Sequence, residues 1–95
     1  MGIVGGHPET GVRVEAERPE GGPPWLYRGE AVTPSERLAL QASVADDGTV
    51  IVELQGDTPA SLRDRVRLIL RTAWKHARDD GQPPPRRIVR WRADR

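Results

Sequence analysis

Val12, Val14 and Ala16 alternate with Arg13, Glu15 and Glu17, which is the period-two pattern of a strand with one wet face and predicts a first strand over 12–17. Pro19-Glu20-Gly21-Gly22-Pro23-Pro24 combines residues without amide donors with flexible glycines, so it sustains neither helix nor ladder and reads as a loop. Trp25 to Val32 carries two aromatics around Gly29, and the spacing predicts a second strand that is short or bulged at the glycine.

Residues 33–45 carry two conflicting signals. Thr33-Pro34-Ser35-Glu36 has the Thr-x-x-Glu spacing of a helix capping box with Pro at the first helical position, and alone it predicts a helix through Ala45. Against it, Leu38, Leu40, Ala42 and Val44 alternate with Ala39, Gln41, Ser43 and Ala45, and Val50, Val52 and Leu54 continue the alternation after a turn. Two alternating arms favour a hairpin over 38–55. A two-residue Asp47-Gly48 turn would place Ala42 opposite Glu53, a carboxylate among apolar neighbours. A three-residue loop, Asp46-Asp47-Gly48, instead pairs Val44 with Val50, Ala42 with Val52 and Leu40 with Leu54, and puts Gly48 at the left-handed position of a G1 bulge. That register is the expectation. It leaves Gln41, Ser43, Glu53 and Gln55 on the wet face.

Leu62, Val66, Ile69, Leu70, Ala73, Trp74 and Ala77 recur at spacings of three and four, which predicts an amphipathic helix over 59–79. Thr58 is the expected cap, Pro59 the first-turn residue and Gly81 the C′ residue, while Asp79 and Asp80 oppose the helix dipole. Pro83-Pro84-Pro85 reads as a polyproline II spacer, and 87–91 as a returning edge strand. The whole predicts an α+β fold. It is a small two-layer sandwich whose mostly antiparallel sheet of three to five strands, β-β-β-β-α with a candidate final β, carries one long helix on one face. In domain terms, 1–11 reads as a loose arm with Gly2, Gly5, Gly6, Pro8 and Gly11, 12–81 as a single α+β domain, and 82–95 as a Pro-rich spacer with a basic terminal segment.

Composition narrows the function classes. Ninety-five residues allow one core, and with no Phe that core must come mainly from Val, Leu, Ile and Ala. Without cysteine there is no disulfide, thiolate nucleophile or Cys-based zinc site. The first residues lack the basic flank and apolar run of a secretory signal, and no stretch approaches the ~20 apolar residues that span a bilayer, so a cytoplasmic location is the default and no membrane partner is expected.

Net charge is +1, but residues 1–57 hold four Arg against ten acids, whereas 58–95 hold eleven basic residues against four Asp. The two halves are therefore suited to pair with each other, within one chain or between copies. Arg63, Arg67, Arg71, Lys75 and Arg78 fall at steps of three or four and form one basic stripe on the helix. Arg86, Arg87, Arg90, Arg92 and Arg95 surround Trp91, an arrangement able to track phosphates and stack a base. The simpler reading is the solvated outer face that any amphipathic helix needs, written in Arg because fourteen of fifteen basic residues are Arg.

Catalysis has little to build on: His7 lies in the arm, His76 on the wet side of the helix, and Ser35, Ser43 and Ser61 read as turn, strand and first-turn residues. No His, Asp or Glu pair has a metal-ligand spacing, Asp46-Asp47 is explained by turn chemistry, and the glycines at 2–6 lack a phosphate-loop pattern. Trp74 belongs to the core; Trp25 and Trp91 are core-edge residues or exposed contacts for a partner. The expectation is a non-enzymatic interaction or accessory domain without cofactor or metal, whose partner is another protein or a second copy meeting at a strand edge. The alternative is a nucleic-acid-binding module using Arg63, Arg67, Arg71, Lys75, Arg90, Trp91 and Arg92.

Overall fold

In a computed structural model, which describes residues 11–56 and 58–92, the elements run β1 (Val12–Glu17), β2 (Trp25–Val32), β3 (Arg37–Val44), β4 (Val50–Leu54), α1 (Ala60–Asp79) and β5 (Arg87–Arg92). The loose arm expected at 1–11, His7 included, and Arg95 lie outside the described residues, except for Gly11. Every neighbouring pair of strands is antiparallel, in the order β4-β3-β2-β1-β5. The first four strands form a meander, and α1 then carries the chain from one edge of the sheet to the other, where β5 pairs with β1.

The β3–β4 hairpin has the register that side-chain parity demands. Val44 faces Val50, Ala42 faces Val52 and Leu40 faces Leu54. Ala45 closes the loop by donating to the Thr49 carbonyl at 2.8 Å and accepting from the Gly48 amide at 3.0 Å, with Gly48 at φ +90°. Asp47 Oδ1 accepts from the Thr49 amide at 2.9 Å, and that bond holds its carboxyl below the usual range. Gly48 is needed for space as well as for φ, because a Cβ there would lie 2.6 Å from Trp74 Cζ3.

Thr33 and Glu36 make the local bonds of a cap without a helix. The Glu36 amide donates to Thr33 Oγ1 at 3.0 Å and the Thr33 amide donates to the Glu36 carbonyl at 2.8 Å, so the four residues 33–36 reverse the chain between paired Val32 and Arg37. The β2 strand is neither short nor bulged. Its eight residues pair without interruption to β3, and Gly29 stands where a Cβ would meet the Glu15 carbonyl oxygen at 1.8 Å. The glycine admits a close backbone approach rather than an extra residue.

Thr58 does not cap the helix. Its hydroxyl donates back to the Gln55 carbonyl at 3.1 Å, Pro59 takes the N-cap position, and no side chain bonds the first-turn amides. The C-terminus closes as expected: Gln82 donates to the Ala77 carbonyl at 2.8 Å and Gly81 to the Arg78 carbonyl at 2.9 Å, the paired bonds of a Schellman motif with Gly81 at C′. Its apolar face, Val66, Ile69, Leu70, Ala73 and Trp74, packs on Val12, Val14, Ala16, Tyr27, Ala31, Leu40, Ala42, Val44, Val50, Val52, Leu54 and Ile88. Trp25 and Leu62 pack against the rim of this core.

The Pro-rich segment is more than a spacer. Pro84 is buried, Arg18 Nε donates to its carbonyl at 3.1 Å with Nη2 on the same oxygen, and the Tyr27 hydroxyl donates to the Pro85 carbonyl. These bonds tie the entry to β5 to the end of β1 and the start of β2. Burial raises the Tyr27 phenol above its ordinary 10.0, with Arg18 alongside pulling the other way.

Two measurements test this packing. Gly48→Ala combines left-handed strain with displacement of Trp74, so it should cost on the order of 3 kcal/mol in urea denaturation, against about 1 kcal/mol for Gly56→Ala, whose Cβ meets nothing within 4 Å. Equal losses would show that Trp74 does not rest on the loop. A phenol value raised on folding means that the native state holds its proton more tightly, so this contribution is intact below about pH 10 and is lost as pH climbs through the folded value. The stability difference between wild type and Tyr27→Phe should therefore hold up to about pH 10 and narrow as pH climbs beyond it. A constant difference would remove the phenol from the account. Tyr27 is the chain's single tyrosine, so phenolate absorbance reads the same titration directly.

Candidate functional site: the open face of the sheet

With the helix on one side, strand parity sends the remaining side chains to the opposite face, which is open except around the buried Val32 and Arg13 guanidinium. Cross-strand pairing arranges them in rows. Ile51, Ser43 and Leu26 form one; Glu53, Gln41, Arg28, Glu17 and Arg87 the next; then come Glu30, Glu15 and Val89, and finally Arg37, Val32, Arg13 and Trp91. The charges in the middle are largely matched within the face. Arg37 Nη1 lies 3.1 Å from Glu30 Oε1, Arg13 Nη2 lies 3.8 Å from Glu15 Oε2, and Arg87 Nε lies 3.8 Å from Glu17 Oε1. The exposed pairs at Arg37 and Arg87 are worth about 0–1 kcal/mol each, whereas Arg13 Nε and Nη2 are buried, and the three pairs together leave this face near neutrality.

The apolar residues of this face are less ordinary. Leu26 and Ile51 are 57% and 62% exposed on either side of Ser43, and Val89 and Trp91 are 42% and 55% exposed on β5. Between Leu26 and Ile51 runs a shallow groove of about 250 Å³, with Arg28, Gln41 and Glu53 at its polar end. Beyond the Gln41, Ser43, Glu53 and Gln55 expected on the wet face, the structure adds Leu26 and Ile51. The parity that put Glu53 outside also puts Ile51 there.

The residues singled out for phosphate or partner binding fall into two groups. Arg63, Arg67, Arg71, Lys75 and Arg78 are all exposed along α1. Arg67 and Arg71 line a hollow of about 410 Å³ against Thr49 and Val50 at the β4 edge. Arg67 Nη2 lies 3.4 Å from Asp64 Oδ1, Arg71 acts on Asp47, and the Arg78 guanidinium sits 5.1 Å from the centre of the Trp74 ring. Arg90, Trp91 and Arg92 lie on β5, at the opposite edge of the sheet from β4, where pairing with Val14 and Val12 puts Arg90 and Arg92 on the helix side and Trp91 on the open face. The seven do not form one patch. Charge from the two halves of the chain does meet elsewhere, at Arg87–Glu17 and at Arg86–Glu20, 3.3 Å apart.

His76 is exposed on the helix, and among the described residues no three His, Asp or Glu side chains gather as metal ligands. No described helix is long and apolar enough to cross a membrane. Comparison with family models, curated proteins and solved structures found no match to the chain.

Leu26 and Ile51 contribute little to the core from this position. Leu26→Thr and Ile51→Thr should each change unfolding free energy by about 0.5 kcal/mol or less in denaturant titrations. A loss of about 2 kcal/mol or more would mean that these side chains are needed for folding and are not held ready for a partner.

Proposed function

We propose that this chain is a non-enzymatic protein-interaction domain that docks a partner on the open face of its sheet. One observation carries the reading: Leu26, Ile51, Val89 and Trp91, four of the five large apolar side chains that stand exposed among the described residues, lie on the same uncovered face. An aliphatic pair beside a shallow groove, with an aromatic residue on the same sheet, has the composition of an interface centre, and the self-matched charges around it have that of a polar rim. A near-neutral face accepts a protein surface more readily than a polyanion. Trp91 faces the open side of the sheet while Arg90 and Arg92 face the helix side, which weakens the nucleic-acid alternative, since that needs a basic track and its stacking aromatic on one surface.

Affinity capture with the wild-type chain, run beside the folded variants Leu26→Asp and Ile51→Asp, tests the reading. The expected result is a partner retained by wild type and lost by both variants, or self-association at micromolar concentration that both variants abolish. A monomer with no binding sensitive to either substitution would overturn it. Steep salt-dependent affinity for random DNA or RNA, unchanged by the two substitutions, would replace it with the phosphate-binding alternative.

A further inference from the structure

Strand β4 is an edge: β3 pairs with one side of it, and no described strand pairs with the other. Ala45–Thr49 and Ala39–Gln55 are hydrogen-bonded at the two ends of the ladder. Antiparallel alternation then turns the amides and carbonyls of Ile51 and Glu53 toward β3 and those of Val50, Val52 and Leu54 outward. The outer side of β4 is thus a row of backbone donors and acceptors. It is short, but it has no Pro, Lys or bulge to discourage pairing.

The helix runs alongside this edge. Leu62, near its start, lines a hollow with Leu38 and Gln55 at the far end of β4, and Trp74, near its end, covers Gly48 at the near end. Between these points Arg67 and Arg71 overhang the edge together with the exposed Leu68. Arg63, Arg67 and Arg71 repeat every four residues, a rise of about 6.0 Å on a helix, whereas side chains on one face of an extended strand repeat about every 6.6 Å. The two pitches agree closely enough for three successive pairs, about the length of β4.

We infer that this edge binds an extended acidic peptide segment, which joins the sheet as a sixth strand beside β4 and presents an Asp or Glu at every second position to Arg63, Arg67 and Arg71. This surface is separate from the open face and does not depend on it. Backbone pairing would supply affinity, and the basic row would set register and sequence preference. A polyanion without amides fits less well, because the outward carbonyls of β4 would face its phosphate oxygens. A second copy pairing β4 to β4 would oppose two rows of arginines. Two carboxylates already share the site: Asp64 beside Arg67 and, at the loop end, Asp47 beside Arg71. Asp64 competes for the same cation as the incoming peptide.

The test is fluorescence anisotropy with the full chain and three labelled probes. These are a capped peptide in which Glu alternates with Val and Thr, an isomer of the same composition with its Glu residues contiguous, and a single-stranded oligonucleotide. The alternating peptide should bind at least about tenfold more tightly than the contiguous isomer, and N-methylation at its edge-facing amides should abolish binding. Arg67→Glu with Arg71→Glu, both exposed and therefore compatible with folding, should weaken it by at least about tenfold, whereas Asp64→Asn should tighten it. Equal binding of both isomers, indifference to N-methylation, preference for the oligonucleotide, or self-association lost in the double variant would each overturn the proposal. Capture that depends on Leu26 and Ile51 would be untouched by any of these results, so failure here and failure of the open-face reading are separately visible.

Discussion

The six-membered ring of Trp74 occupies the space where a side chain at residue 48 would stand, and the position of the helix follows from that contact. A left-handed glycine at the third loop residue closes the β3–β4 hairpin in a register with all its apolar pairs on one face. The same glycine leaves a vacancy at the loop that only a large flat side chain from the last turns of α1 can fill. Hairpin register and helix placement are therefore one constraint. Shifting the loop by a residue would turn Leu40, Ala42 and Val44 away from the core and remove the seat for Trp74 together. Arg78 lies over the same ring, which adds a cation to a contact already defined by shape.

Much of this was legible because parity and helical period are arithmetic. The strand at 12–17, the hairpin register, the apolar face of α1 and Gly81 at its end all follow from spacing alone. Thr33 to Glu36 was ambiguous for a physical reason: a threonine hydroxyl accepting an amide three residues on is the same bond at a helix start and in a four-residue reversal, and only the alternation beyond it decides. Thr58 misled in the same way, since its hydroxyl can as well donate backward, and it closes a turn on Gln55. The bonds from Arg18 and Tyr27 to the carbonyls of Pro84 and Pro85 left no trace in the pattern, because a backbone acceptor has no side chain to signal it. Leu26 and Ile51 are the reverse case, present in the parity and overlooked because each sits in a strand that also supplies the core.

The uneven charge of the two halves resolves into three different arrangements. At the β1–β5 seam it pairs across halves, Arg87 with Glu17 and Arg86 with Glu20, so part of the basic tail serves to fasten the last strand. On the open face it pairs with near neighbours and leaves an almost neutral surface around exposed apolar groups. Along α1 it stays largely unmatched, since among the described residues Asp64 beside Arg67 is the one carboxylate paired with the row at short range. Net charge near zero thus hides a molecule with a neutral face and a basic flank, and the two invite different chemistry.

One helix cannot cover five strands. A helix with its side chains is about 10–12 Å across, while five strands at their usual spacing span about 19 Å between outer axes and more with side chains. The core is therefore completed by other means: Tyr27 reaches across to the Pro-rich segment, Pro84 is buried, and Trp25 packs at the rim. Among the described residues, what these pieces leave uncovered is most of the opposite face, Val32 and the Arg13 guanidinium excepted, and the outer sides of β4 and β5. The β5 edge carries Arg87, Arg90 and Arg92 on its own strand, which opposes pairing with a like strand. At β4 the charge belongs instead to the helix above, and the strand itself is Val-Ile-Val-Glu-Leu. A charge held on a neighbouring element repels a basic strand or a second copy but attracts an acidic strand, so this edge is selective where the other is only defended.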